Sequence, residues 1–233
     1  MLRVVSFNTF YAIRKKRLAK SVFTAFAKLN PDVICLQEVL IGKKRNFARD
    51  LADHLGYHLS FSLRAKFGTR QIGLAVLTRK PPEKNRSIIL PRSSRMRPRI
   101  LQTARIKIGS VSWRIANTHL SVASFGARRT QLEAVITAVS AENRAAPIIL
   151  AGDFNTRTKK EISIFNTMLR HAGFHISKKI PYSWKVLGIK GKFDWIAAKN
   201  CAIKNAGILH EAKGSDHKPI WADIATRARI DVK

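Results

Sequence analysis

Apolar residues cluster in short runs over residues 2–7, 32–36, 73–77, 113–117, 148–151 and 193–197, each the length of a buried strand. Elsewhere the apolar spacing stretches to that of a helix. Residues 17–29 place Leu18, Val22, Phe26 and Leu29 on one face and stop at Asn30-Pro31. Residues 130–141 repeat the spacing with Leu132, Val135, Ile136 and Val139, while 47–55 and 162–172 are shorter helices, the second closed by Gly173. From residue 57 to 117 the pattern predicts consecutive strands, with 87–99, rich in arginine, serine and proline, as a surface loop. Strands and helices in this order predict packed sheets covered by helices.

Polar residues stand where these strands end. Asn8 follows the first, Gln37-Glu38 the second, Thr118-His119 the run 113–117, and Asp153-Phe154-Asn155 the run 148–151. Taken singly, Asn8 suits a turn and Glu38 the start of a helix. Together they occupy the edge of an α/β arrangement where rigid strands hold side chains in place for chemistry. Near the end of the chain, Gly214-Ser215-Asp216-His217 brings a hydroxyl, an acid and a base side by side. Neighbours on an extended chain point to opposite faces, so these three do not form one nucleophilic relay. An acid and a base delivered by one short loop would instead complete a site whose other members lie upstream.

Composition narrows the chemistry. With 233 residues, 45% of them hydrophobic, the chain can bury a substantial core, and one domain over 1–233 is expected. Lysine and arginine number 44 against 14 acids, a formal charge of +30, which points to a polyanionic partner: nucleic acid first and an anionic membrane surface second. Cys35 and Cys201 sit in or beside apolar runs, so neither a disulfide framework nor a cysteine–histidine zinc site is expected. No leader-like segment and no membrane-length apolar run appear, so an intracellular, cytoplasmic setting is the expectation. The strand-end set is rich in oxygen ligands, which suit a hard cation such as Mg2+ or Mn2+ acting on phosphate esters.

The ordered segments SFNTF (Asn8), DVICLQEV (Glu38), GLAVLTR (73–79), ANTHL (His119), RRTQL (128–132), ILAGDFNT (Asp153, Asn155), KFDWI (Asp194) and GSDHKP (Asp216, His217) resemble the endonuclease/exonuclease/phosphatase superfamily, related to deoxyribonuclease I and exonuclease III. The resemblance implies an α+β fold, a four-layered αββα sandwich of the deoxyribonuclease I type. It also implies roles. Glu38 is the principal metal ligand, with Asn8 beside it and Asp216 near the metal or its water. Asp153 orients or activates the attacking water, and Asn155 holds the phosphate. His217 contacts the phosphate or moves a proton, with Asp194 fixing its tautomer, and His119 protonates the leaving oxygen.

The sequence departs from the exonuclease III branch at Val39 and NTHL, and from the usual secreted deoxyribonuclease I pattern in lacking disulfides. Basic residues follow the strand-end segments: Arg14, Lys15, Lys16 and Arg17, then Lys43 and Lys44, Arg128, and Arg157, with Arg70 a further candidate in the middle region. They are the expected substrate contacts, Arg128 having a competing structural role at a helix start. The leading expectation is a metal-dependent DNA endonuclease of little sequence preference. The alternative is a phosphoinositide phosphatase or sphingomyelinase-like enzyme, for which 183–191 is the one apolar loop on offer.

Overall fold

Each apolar run becomes a strand in one of two sheets. The computed structural model describes residues 1–10, 16–43, 46–92, 97–141, 145–177, 179–180 and 182–226. In chain order the elements are β1 (Leu2–Asn8), α1 (Lys16–Leu29), β2 (Val33–Ile41), α2 (Phe47–Leu55), β3 (His58–Phe67), β4 (Arg70–Thr78), β5 (Lys84–Ile89), β6 (Ile100–Ile108) and β7 (Val111–His119). There follow α3 (Phe125–Ser140), β8 (Ile148–Asp153), α4 (Lys159–His171), β9 (His175–Ile176), β10 (Trp184–Val186), β11 (Ile189–Gly191), β12 (Asp194–Lys199), β13 (Cys201–Ile208) and β14 (Ile220–Thr226). One six-stranded sheet has the order β13-β14-β1-β2-β4-β3, the other β5-β6-β7-β8-β12-β9, and β10 and β11 form a separate hairpin.

The central strands read as unbroken apolar runs because both of their faces are covered. In β8, Ile149 and Ala151 pack between the sheets while Ile148 and Leu150 pack outward beneath α3 and α4. In β1, Leu2 and Val4 face the opposite sheet while Val5 and Phe7 lie under the first two helices, with Phe7 edge-on to Phe26 of α1 at 6.0 Å. One core layer between the sheets and one outside each sheet make the four-layered αββα sandwich. Both cysteines are buried and free, as expected of small apolar residues. Among the described residues no helix is long and apolar enough to cross a membrane.

Helix ends follow local chemistry. Asn46, Ser124 and Thr158 each accept a hydrogen bond from the backbone N–H three residues on, and Gly56, at φ 67°, closes α2 in the left-handed region. The Ser124 cap starts α3 five residues before the predicted boundary at 130, since the apolar periodicity begins only after its first turn. The expected loop 87–99 needs correcting at both ends. Ser87–Ile89 belong to β5, an edge strand exposed at every position and so without the alternation that reveals a strand, and Arg99 is buried. Arg95 lies outside the described residues.

Two glycines let strands approach closely. A Cβ on Gly152, which has φ 150°, would lie 2.0 Å from the Thr118 carbonyl oxygen, and one on Gly73 would lie 2.0 Å from that of Ser62. Gly152 immediately precedes Asp153, so this tight β7–β8 contact also sets the position of that carboxylate.

Candidate active site

Side-chain alternation sends the polar residues at one end of the sandwich into the seam between the sheets. In the second sheet, Asp153 ends β8 and is flanked in register by His119, the end of β7, and by Asp194, the start of antiparallel β12. All three continue the alternation of the inner-layer residues Ile115, Ala151 and Ile196, so they face the first sheet. Asn8 reaches the same seam from the end of β1, and its Nδ2 donates to Asp153 Oδ2 at 2.8 Å.

Glu38 arrives by a different device. The β2–β4 register runs Leu36↔Ala75 and then Val39↔Gly73, so Gln37 and Glu38 together oppose the single residue Leu74. This bulge, with Glu38 at φ 53°, interrupts simple alternation. It allows Glu38 to join Gln37 on the seam side while Leu36 and Val39 both stay under the outer helices. Gln37 is itself pinned across the seam, donating from Nε2 to Asn117 Oδ1 at 2.8 Å, while Asn117 Nδ2 donates to the Leu36 and Ala75 carbonyls.

The loop 214–217 closes the site. Ser215 Oγ donates to the Asn8 carbonyl at 2.8 Å and accepts from His217 N at 3.1 Å, so the hydroxyl shapes the loop. His217 Nδ1 lies 2.7 Å from Asp194 Oδ2, and its Nε2 is 3.8 Å from Asp153 Oδ2. His119 Nε2 is 3.5 Å from Asp153 Oδ2, and its Nδ1 is 3.9 Å from Glu38 Oε1. Asn155, at φ 53°, donates from its backbone N to Asp153 Oδ1 at 2.8 Å and from Nδ2 to the Leu120 carbonyl. Asp216 Oδ2 accepts from Trp184 Nε1 at 2.8 Å, and the Trp184 ring stacks on Phe193 at 5.0 Å.

Burial and neighbouring charges give the ionisable groups different proton affinities. Burial raises the Asp153 carboxyl's pKa, against the opposing effects of His217, Asn8 and the Asn155 N–H. Burial likewise raises that of Glu38, partly offset by Asn8, His217 and Arg99. For His217 burial alone would lower the pKa, but Asp194, Asp153 and the Asp194 hydrogen bond outweigh it and push the imidazole up to about 10. His119 goes the other way: burial, followed by the charges of Arg99, Arg64 and His217, holds its ring neutral.

The donor set fits a hard divalent cation. Glu38 Oε2 is buried and has no hydrogen-bond partner, an orphan that an oxygen-seeking cation would satisfy. Ligand atoms of Asp153, Asp194 and His217 also lie within 4.8 Å of one another. Two of these residues already share the short imidazole–carboxylate contact, which suits an acid–histidine pair better than a metal cage.

The structure thus gathers Asn8, Glu38, His119, Asp153, Asn155, Asp194, Asp216 and His217 at one end of the sandwich. The basic residues fare unevenly. Arg128 is buried and its Nη2 donates to Glu161 Oε1 at 2.6 Å, which corrects its reading as a substrate contact. Lys43 and Arg70 are exposed beyond the paired ends Ile41↔Gln71, at the Glu38 end of the first sheet. Arg157 donates to the Val122 carbonyl at 2.9 Å, Lys16 and Arg17 open α1, and Arg14, Lys15 and Lys44 lie outside the described residues.

Sequence reasoning overlooked Arg99, Arg64 and the contact of Trp184 with Asp216. Arg99 precedes β6, whose start lies at the site because β6 runs antiparallel to β7. A polar residue at the beginning of an apolar run was the available signal, and attention to strand ends alone passes over it.

Comparison with known proteins adds three findings. The family model described as Endonuclease/Exonuclease/phosphatase family matches residues 5–217. No curated protein sequence matches the chain. Similar solved structures include an endonuclease/exonuclease/phosphatase family protein from Leptotrichia buccalis C-1013-b, with TM-score 0.77 and 20% identity over 96% of this chain and 99% of that one. An endonuclease/exonuclease/phosphatase from Bacteroides vulgatus superposes with TM-score 0.79 and 19% identity, covering 97% and 99%. A humanized D. rerio TDP2 does so with TM-score 0.76 and 20% identity, again covering 97% and 99%. At such identities the likeness concerns the fold.

Proposed function

The chain belongs to the endonuclease/exonuclease/phosphatase family, whose members are metal-dependent phosphoesterases, and on that premise we propose that it is a nuclease, cleaving DNA internally with little sequence preference. The observation that carries the reading is the junction in one seam of Asp153, His217–Asp194 and the orphaned Glu38 carboxylate, in a chain of formal charge +30. Glu38, with Asn8 and Asp216, would hold Mg2+ or Mn2+, whose chemistry there is to polarise the phosphoryl group and stabilise the leaving oxygen.

The protein groups divide the remaining work. Asp153, whose proton affinity is raised by burial, accepts the proton of the attacking water while the Asn155 N–H and Asn8 amide hold its carboxylate in place. His217 presents a charged imidazole to a non-bridging phosphate oxygen, and Asp194 fixes which ring nitrogen faces the substrate. Asn155 supplies an uncharged contact to the phosphate. His119, within reach of Asp153 and Glu38 in the seam, is placed to hydrogen-bond the leaving oxygen and deliver the proton that makes it a hydroxyl. The products would be a 3′-hydroxyl and a 5′-phosphate.

Supercoiled plasmid with and without Mg2+, at low and near-physiological salt, tests the assignment. Nicking by the wild type and none by folded Asp153→Ala or His217→Ala is expected; turnover retained in both purified variants refutes it. A lipid phosphoesterase is favoured by one feature, the exposed aliphatic tip of the β10–β11 hairpin. Phosphate release from inositol-lipid vesicles, with plasmid left intact, would select that reading.

A further inference from the structure

The β10–β11 turn holds an apolar side chain where water and backbone both disfavour it. Leu187 is 98% exposed, Ile189 68% and Val186 36%. Leu187 has φ 46° and Gly188 φ 85°, so both central residues of this two-residue turn are left-handed. Turns of that kind favour Asn-Gly or Gly-Gly, and a leucine there is strained. The register Lys185↔Lys190 and Val186↔Ile189 then gives the ribbon two faces, paired lysines on one and paired aliphatics on the other. Like charges set directly opposite each other destabilise a ribbon, and although Lys190 Nζ lies 4.8 Å from the Tyr182 ring centroid, that contact neutralises no charge, so the lysine face suits an anion as the aliphatic face suits an apolar surface.

The stem is fastened to the site. Lys218 N donates to the Ser183 carbonyl at 2.6 Å, Lys185 N to the Asp216 carbonyl at 3.2 Å, and Trp184 bridges to His217. A three-residue strand spans about 10 Å, so the tip stands roughly three base-pair steps from the residues around His217.

We propose that this hairpin enters the groove of a nucleic-acid duplex beside the scissile phosphate, with Leu187, Val186 and Ile189 against a base step and Lys185 and Lys190 on the flanking phosphates. The assignment rests on the nuclease reading. Apolar wedges of this type unstack base steps, while lysines track the backbone. A bilayer surrounds an inserted tip and favours apolar residues on both faces, whereas here the lysine pair sits one residue behind the aliphatic pair.

Leu187→Asn tests the wedge without threatening the fold, because asparagine suits the left-handed turn position, and its melting temperature should equal or exceed that of the parent. In an Asp153→Ala background, a short fluorescein-labelled duplex should bind Leu187→Asn about tenfold more weakly, while the matching single strand binds both proteins alike. Emission from 2-aminopurine placed three steps from the fluorescence-mapped binding centre should rise with the parent and stay flat with Leu187→Asn. Unchanged duplex affinity and silent 2-aminopurine, with the parent bound, overturn the wedge and leave the nuclease reading standing. Leu187-dependent sedimentation with phosphatidylserine vesicles, with duplex affinity unchanged, overturns it in favour of a bilayer. A parent that binds no DNA, and whose active form nicks none, removes both readings together.

Discussion

Replacing Arg128 with alanine separates a structural arginine from one that touches substrate. Its guanidinium donates to Glu161 Oε1 at 2.6 Å, and the two side chains are only 3% and 12% exposed. Its Nη1 reaches the Ser121 carbonyl at 3.4 Å, and Glu161 Oε2 accepts from Arg157 N at 2.7 Å, so the pair ties the start of α3 to the start of α4 beside the site loops. Removing one partner of a buried pair strands the other charge and costs roughly 3–5 kcal/mol. The remaining Arg157 N–H and the N-terminal end of α4 still support the Glu161 carboxylate, which puts Arg128→Ala at the lower figure, about 3 kcal/mol. With a urea slope of about 3 kcal/mol per molar, the unfolding midpoint followed by tryptophan fluorescence should fall by about 1 M. Arg128→Met with Glu161→Leu should recover most of the loss, since no buried charge remains. The salt dependence of DNA binding should keep its slope. A stability loss below about 1 kcal/mol, together with a slope reduced by about one, would instead show Arg128 on a phosphate.

Two further perturbations address the site itself. His217 has a folded-state pKa raised to about 10, so its stabilising contribution is complete below the unfolded value near 6.5 and is lost as pH rises through about 10. Urea midpoints measured in chelator should therefore decline from pH 7 to 10, and Asp194→Asn should flatten that decline; an equally steep fall in the variant would show that another group titrates. Trp184→Phe keeps an aromatic ring against Phe193 but deletes the N–H donated to Asp216. It should raise the Mg2+ concentration needed for half-maximal activity several-fold and weaken Mn2+ binding measured by calorimetry, with little change in melting temperature; unchanged metal binding would refute the link.

Strand ends were legible in the sequence wherever the strands run parallel. Asn8 and the pair His119 and Asp153 were placed by that rule because β1–β2 and β7–β8 are parallel, so their C-terminal ends share one edge. Arg99 escaped it because its strand begins, and does not end, at the site. The aim of Glu38 depends on a bulge that only pairing with β4 creates, and no local pattern announces it. β5 was hidden because an exposed edge strand has no buried face to set a period of two. Arg128 misled because a cation beside a catalytic segment looks the same in sequence whether it faces solvent or a buried carboxylate.

The strand order has a consequence for how activity arises during synthesis. Strand β14, the last described strand, lies between β13 and the first strand β1, and the loop carrying Asp216 and His217 leads directly into it. A chain emerging from the ribosome can form the Asp153 half of the seam and pair β1 with β2, yet it has neither the imidazole nor its neighbouring acid until nearly all of this chain has been made. The strand that completes the first sheet is therefore also the one that delivers the loop carrying Asp216 and His217 to the seam.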